Sequence, residues 1–392
     1  MSQKIVIVSA KRTPIGSFLG SLSTITAPKL ASITIKGVLD DIKLPYNLVE
    51  EVYLGNVLQA GLGQAPAKQA AKYAGLKDEI PCTTINKVCA SGMKAITMGV
   101  QAIKAGDRNI LLVGGMENMS LVPHYQYLRT GNKLGNQILQ DGLIHDGLTN
   151  VYDQNHMGVC GDNCAKTHHI SREEQDHFAI QSYKKSIKAN EEGKFKNEIT
   201  PVIYHDKRGN EIIVNEDEEF KNFKPEKFPF LKPVFSKDGT VTAANASTLN
   251  DGAAALLIMS EEKAKILNLT PLAEIIAYED ASTQPELFTT APAKAIPAVL
   301  KKANLQLTDI DYFELNEAFS VVGIANANLL KIPMHKINKN GGAVSLGHPL
   351  GCSGARIVVS LINVLKQQQA GYGLAAICNG GGGATAIIIK NI

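Results

Sequence analysis

Residues 85–96, INKVCASGMKAI, run from a short lead-in to a cysteine and then directly into a helical pattern. Ala90, Met93, Ile96, Thr97, Val100 and Ile103 recur at the spacing of one helix face, and Gly106 in KAGDR predicts the stop. Cys89 therefore falls at or near a helix N-terminus, where unpaired N–H groups and the helix dipole favour a thiolate. That is a setting for a nucleophile. An isolated cysteine is more often a small buried residue, however, so the rest of the chain has to decide.

Outward from this stretch the pattern alternates. Lys4 to Ser9 reads as a buried strand, Lys11 to Gly20 as a loop, Ala27 to Leu39 as a helix and Val52 to Val57 as a second strand. Pro66 suits a first helical turn and Gly75 a stop, Ile80 to Asn86 delivers the chain to Cys89, and Asn109 to Gly114 is another buried strand. Such alternation predicts a layered α/β fold. Ser120 to Thr248 changes to polar loops and amphipathic helices, including Arg172 to Glu192, and reads as an insertion. Apolar pattern resumes at Ala253 to Met259, and a second α/β region runs from Ala273 to the end. The two regions echo each other: SGMKAI from Ser91 and the strand LLVGG correspond to GCSGARIVVSL and the strand AAICNGGGG. The repeat predicts two similarly folded halves whose matching turns bring Cys89, His348 and Cys378 to one pocket. The expected division is residues 1–119, completed by about 249–270, then an inserted loop domain at 120–248, and a C-terminal half at 271–392.

At 392 residues the chain is long enough for two to three domains, and its 44% hydrophobic content argues against disorder. A formal charge of +3 is too small over this length to imply nucleic acid or a membrane surface as partner. The six cysteines, without a secretory pattern, read as reduced thiols. No apolar run reaches the length of a membrane span, and the N-terminus shows no leader pattern, so a cytoplasmic enzyme is the default; a removed transit peptide would make it mitochondrial.

Four motifs carry chemistry: Cys89 in KVCASG, Asn316 and Glu317 in NEAF, His348 in GGAVSLGHPLGCSGAR, and Cys378 in CNGGGG. An imidazole beside a thiol can take its proton, so a Cys–His pair supports acyl transfer, and the glycine run can present N–H groups to an oxyanion or a phosphate. Taken singly, His348 also fits a hydrogen-bonded loop residue and Cys378 a buried strand end. Lys221, Lys224, Lys227 and Lys232 interleave with five phenylalanines in residues 220–235, which suits phosphates and a stacked adenine as well as a solvated loop. His156, Cys160, Cys164 and His168 share a four-residue spacing. On a helix the outer pair lies roughly 18 Å apart, which rules out one zinc site using all four.

From IVSAKRTPIGSFLG through NKVCASGMKAI, GGMENMS, NASTLNDGAAA, NEAF and GGAVSLGHPLGCSGAR to CNGGGGATA, the sequence resembles the thiolases, and within them the acetyl-CoA-acetyltransferase branch. The resemblance spans essentially the whole chain. It implies a five-layer αβαβα core of two related halves under a loop domain, and a homotetramer built as a dimer of dimers. It implies that two acetyl-CoA molecules condense to acetoacetyl-CoA and CoA, and the reverse thiolysis, through an acetyl-cysteine. A broad-range 3-ketoacyl-CoA thiolase is the alternative within the family. A ketoacyl synthase on the same fold is disfavoured by Cys378 and NEAF, and a non-catalytic acyl-CoA or lipid binder by the presence of all four chemical residues.

By the same resemblance, Cys89 is the nucleophile activated by His348, and Cys378 is the base at the substrate's α-carbon. Asn316 holds a water that stabilises the enolate, and the N–H groups of Cys89 and Gly380 form a second oxyanion hole. Leu148, His156, Met157, Phe235, Phe288 and Phe319 surround the acyl and pantetheine path with Ser247, while Lys224 and Lys227 serve CoA phosphates. No cofactor is obligatory. Potassium is implied at Tyr183, Ala243, Ala244, Ala246 and Val344, with Tyr183 and Ala243 also near substrate. Phe288-Thr289 stands where relatives accepting a 2-methyl branch carry Phe-Pro, which leaves branched substrates open.

Overall fold

The computed structural model describes residues 3–129, 131 and 133–392. Its long strands form two sheets of one plan. In the first, β1 (Ile5–Arg12), β2 (Glu51–Gly55), β3 (Cys82–Ile85), β4 (Ile110–Asn118) and β5 (Asn250–Ser260) lie in the order β3-β2-β4-β5-β1. The first three run parallel, and β5 is antiparallel to both neighbours. In the second, β6 (Ala273–Ser282), β7 (Tyr312–Leu315), β8 (Tyr372–Asn379) and β9 (Gly383–Asn391) lie in the order β7-β8-β9-β6 with the same directions. A parallel bridge from Phe313 to Ile337 stands where the fifth strand would be. Here lies the internal repeat read from the sequence. β1 and β6 also pair, over Ile5 to Ile7 and Ala273 to Ile275, so hydrogen bonding runs unbroken through both sheets.

Helices make the remaining layers. α1 (Ala27–Asp41) and α2 (Pro66–Ala74) cover the outer face of the first sheet. α3 (Ser91–Ala105) lies between the sheets. α4 (Met157–Thr167) and α5 (Arg172–Glu191) belong to the inserted stretch. α6 (Pro292–Ala303) and α7 (Ser320–Leu330) cover the second sheet's outer face, and α8 (Leu350–Gln368) joins α3 in the middle. The order is αβαβα. Strand alternation decides each face: Leu111 and Val113 point to α3 and α8, whereas Ile110 and Leu112 point to α1 and α2. Each such fully buried side chain contributes about 1.5–3 kcal/mol.

Local signals explain the boundaries. Gly75 and Gly106 cap α2 and α3 in the left-handed region, and Ser171 with Glu174 forms a capping box before α5. The first strand runs past Ser9 to Arg12 rather than yielding to a loop at Lys11. Arg12 is fully buried and bonds Asp217 through two nitrogens, at 2.6 and 2.8 Å, and Glu198 at 2.7 Å. Both carboxylates come from the inserted stretch, which is thereby tied to the first sheet.

The two central helices cross almost backbone to backbone. A Cβ on Gly92 would lie 2.8 Å from the Gly351 carbonyl oxygen and 2.9 Å from the Ala355 nitrogen. A Cβ on Gly351 would meet the Met116 oxygen at 2.6 Å. Glycine is required at both places, and the approach sets the helix N-termini side by side.

Candidate active site

Both N-termini carry a predicted chemical residue two positions before the helix starts: Cys89 ahead of Ser91 and His348 ahead of Leu350. The turn before α3 is strained. Val88, a β-branched residue, sits at φ 50°, a conformation costing about 1–3 kcal/mol that the turn must over-determine. Ser91 does so: its hydroxyl accepts from the Lys87 N–H at 2.8 Å and donates to the Val88 carbonyl at 2.6 Å. Nothing in the sequence marked Val88 or Ser91 as special.

Cys89 and His348 line one cavity of about 680 Å³, with Gly380 on its wall. Leu148, His156, Met157, Phe235, Ala243, Ser247, Phe288 and Phe319 line it too, so the structure brings these predicted residues together. The Ser247 hydroxyl donates to the Ala318 carbonyl at 2.8 Å. His156 caps α4, its Nδ1 accepting from the Gly158 N–H at 3.0 Å, and its ring stacks on Phe235 with centroids 4.5 Å apart. It is thus committed to packing, and among the described residues no three His, Cys, Asp or Glu side chains converge to hold a metal ion.

Cys378 and Asn316 lie just behind the wall. Cys378, at the end of β8, is buried in the cluster holding Met157, Phe235, Phe288 and Phe319. Asn316, one residue past β7, places Nδ2 3.4 Å from His348 Nε2, and its Oδ1 has no protein partner among the described residues. Ser353, which the sequence reading missed, holds the imidazole. Assigning its one hydroxyl hydrogen to the Pro349 carbonyl, 2.9 Å away, makes His348 Nδ1, at 2.6 Å, the protonated nitrogen. Nε2 is then an acceptor, facing the Asn316 amide. The His348 backbone N–H donates to Asn250 Oδ1 at 2.9 Å, and the Thr248 hydroxyl reaches the same oxygen at 2.8 Å.

Electrostatics correct the expected resting thiolate. Burial pushes the Cys89 thiol up to about 12, although its own N–H and that of Gly380 point at the sulfur. Burial also raises Cys378, with the nearby Cys89 adding to it, and drives His348 down to about 3. Desolvation outweighs the helix terminus, so the resting pair is a thiol and a neutral imidazole. Glu117, on β4, is fully buried, and burial pushes it up to about 7 against four N–H groups directed at it.

Three groups expected along the CoA path lie wholly or partly off this cavity's wall. Lys224 and Lys227 are exposed and absent from the cavity wall, which carries no lysine or arginine among the described residues. Of the five phenylalanines of residues 220–235 only Phe235 lines the cavity; Phe220, Phe223 and Phe228 pack under the loop and Phe230 is exposed. Tyr183 lies behind the wall, stacked on Phe223 at 5.0 Å; burial raises its phenol, and the nearby Glu219 and Glu317 add to that. The physical reason is shared: the loop needs its own core, and aromatic side chains supply it.

The layers, the repeat and the cysteine–histidine cavity between paired helix N-termini define a thiolase, and the chain belongs to that family. Residues 5–262 match the family's N-terminal domain and residues 269–391 its C-terminal domain. Among curated proteins the chain is 54% identical to mitochondrial acetyl-CoA acetyltransferases of Bos taurus and Homo sapiens, covering 99% and 100% of this chain and 92% and 91% of theirs. It is similar to a crystal structure of an Ascaris suum thiolase in complex with coenzyme A, with TM-score 0.94, 43% identity and full coverage of both chains. Human mitochondrial 3-ketoacyl-CoA thiolase superposes with TM-score 0.96 at 38% identity, covering 100% of this chain and 99% of that one.

Proposed function

We propose that the protein is an acetyl-CoA C-acetyltransferase, condensing two acetyl-CoA to acetoacetyl-CoA and CoA and catalysing the reverse thiolysis. The observation that carries this reading is the convergence of Cys89, His348 and the Gly380 N–H on one cavity, with Cys378 behind its wall. In the first half-reaction Cys89 gives its proton to His348 Nε2 and its sulfur attacks the thioester carbonyl. The oxyanion is held by the N–H groups of Cys89 and Gly380. CoA leaves with the Cys378 proton, which creates a Cys378 thiolate beside an imidazolium. That charge separation answers the raised thiols of the resting site, because each ion forms only opposite the other.

In the second half-reaction the Cys378 thiolate removes an α-proton from a second acetyl-CoA. The imidazolium and a water held by Asn316 stabilise the enolate oxygen. The enolate carbon attacks acetyl-Cys89, and the expelled sulfur recovers its proton from His348. Met157, Phe288 and Phe319 on the cavity wall favour a short acyl chain. The CoA phosphates lie beyond this apolar wall, where Lys224 and Lys227 remain candidates. Potassium would sit at Tyr183, Ala243, Ala244, Ala246 and Val344; in support, Tyr183, Ala244 and Val344 share one buried cluster, while Ala243 and Ala246 line the cavity. Equal activity in sodium and potassium buffers would sink it. The mitochondrial names of the relatives outweigh the cytoplasmic default, a point for fractionation, and a homotetramer is the assembly to test by sedimentation.

Labelling tests the reading. Radiolabelled acetyl-CoA should acetylate the wild type and Cys378→Ala but not Cys89→Ala, and Cys378→Ala should fail to condense; label retained in Cys89→Ala refutes the assignment. Thiolysis of acetoacetyl-CoA beside a long-chain 3-ketoacyl-CoA decides chain length. Comparable cleavage of both would make this a broad 3-ketoacyl-CoA thiolase.

A further inference from the structure

The repeat assigns a counterpart to each residue of the site. In the second sheet Leu315 is level with Ala376, which sets Asn316 and Cys378 beyond that rung. In the first sheet Gly55 is level with Gly115, and the same steps lead to Asn56 and Glu117. Glu117 thus stands where Cys378 stands in the other half, as Cys89 does for His348. The reaction above gives it nothing to do.

Its bonds show what it holds. Glu117 Oε2 accepts from the Gly351 N–H at 2.8 Å and the Val57 N–H at 3.0 Å, and Oε1 accepts from Asn56 Nδ2 at 2.6 Å and the Leu58 N–H at 3.2 Å. Among the described residues no lysine or arginine pairs with it. A buried carboxylate without a cation is expensive, and an apolar side chain would fill this site at less cost to stability. Gly351 is the second residue of α8, three beyond His348. A Cβ there would meet Glu117 Oε2 at 2.9 Å, so the helix end rests directly on the carboxylate. Glu117 is also near enough to Cys89 for its charge to act on the thiol.

We propose that Glu117 is a positioning residue for acyl transfer: its carboxylate docks the first turn of α8 onto the first half and so sets His348 against Cys89. This rests on the function proposed above. A shift of about 1 Å between reacting groups can cost on the order of 100-fold in rate, so the docking point matters even though it touches no substrate.

The test compares Glu117→Gln, whose amide turns one acceptor into a donor facing N–H groups, with Leu112→Ala, which opens the core on the same strand away from α8. Assays at pH 8 measure the acetylation rate of Cys89, the KM for acetyl-CoA and the melting temperature, and a separate pH series follows Cys89 alkylation by iodoacetamide. Glu117→Gln should slow acetylation roughly 10- to 100-fold with KM within about twofold. It should also slow alkylation well below the thiol's own titration range, where the reaction needs His348 to take the Cys89 proton. Leu112→Ala, which empties a buried site at a cost of about 2–5 kcal/mol, should keep both. An unchanged acetylation rate or alkylation profile in Glu117→Gln overturns the proposal, as does an equal loss in Leu112→Ala. If Glu117→Gln does not fold, Glu117→Asp, which keeps the charge but falls a methylene short of Gly351, is read by the same criteria. A wild type that never acetylates at Cys89 would instead overturn the function on which the proposal stands.

Discussion

Replacing Ser353 with alanine removes one oxygen and should slow the first half-reaction without weakening substrate binding. In the resting site His348 is neutral, since burial holds it down to about 3, and its Nδ1–H is given to Ser353 at 2.6 Å. When Nε2 takes the Cys89 proton the ring becomes a cation, and the same bond becomes charge-assisted. A hydrogen bond to a charged group contributes about 1.5–3 kcal/mol net. The neutral bond of the resting site already contributes about 1 kcal/mol, so at about 1.4 kcal/mol per tenfold the difference lowers the rate about 2- to 30-fold. Most of this should appear in kcat, because the ground state carries no charge on the ring. The assay is rapid-quench acetylation of Cys89 at saturating acetyl-CoA, with steady-state thiolysis of acetoacetyl-CoA for comparison. Acetylation within twofold of wild type, or a loss confined to KM, would refute the assignment of Nδ1 as the protonated nitrogen.

Acid should destabilise the fold partly through His348. Its folded value lies below the unfolded one, so its contribution is complete above about 6.5 and is lost as pH falls toward about 3. His348→Asn should therefore lose less melting temperature than wild type between pH 7 and pH 4; an equal loss in both would contradict the burial argument. Arg12→Ala leaves Glu198 and Asp217 buried without their cation, and urea unfolding should show a loss of about 3–5 kcal/mol. Lys72→Ala, which breaks the exposed pair with Asp78, should change the urea midpoint negligibly. Similar midpoints for the two variants would show that the Arg12 cluster is not a structural anchor.

The layers were legible because continuous apolar strands and glycine-stopped helices are local patterns, and the repeat of SGMKAI in GCSGARIVVSL gave the two halves. Cys89 was legible because a small run ends in it just where a helical pattern begins, and His348 because it stands in a motif of the family the chain resembles. What the sequence hides is desolvation. The helix terminus predicts a thiolate at Cys89, and only the packing shows that burial prevails. The segment carrying Lys224 and Lys227 shows how one pattern can serve two ends: it suits phosphates, and its phenylalanines also give the loop a core. Ser353 sits inside a quoted motif, but its bond to the imidazole is a three-dimensional fact. Glu117 meets Gly351 across 234 positions of chain, a separation at which no spacing rule operates.

The place of β5 in the first sheet has a consequence for how the protein is made. It lies between β1 and β4, both near the N-terminus, yet it follows the whole inserted stretch in the chain. On a ribosome adding about 5–20 residues per second, β4 emerges roughly 7 to 26 seconds before its central neighbour. During that interval the inner edges of β1 and β4 offer unpaired backbone groups and no partner of their own. The nascent chain therefore passes through a sticky state that ends only when Asn250 to Ser260 arrives, and demand for chaperones should peak in that window rather than at chain release.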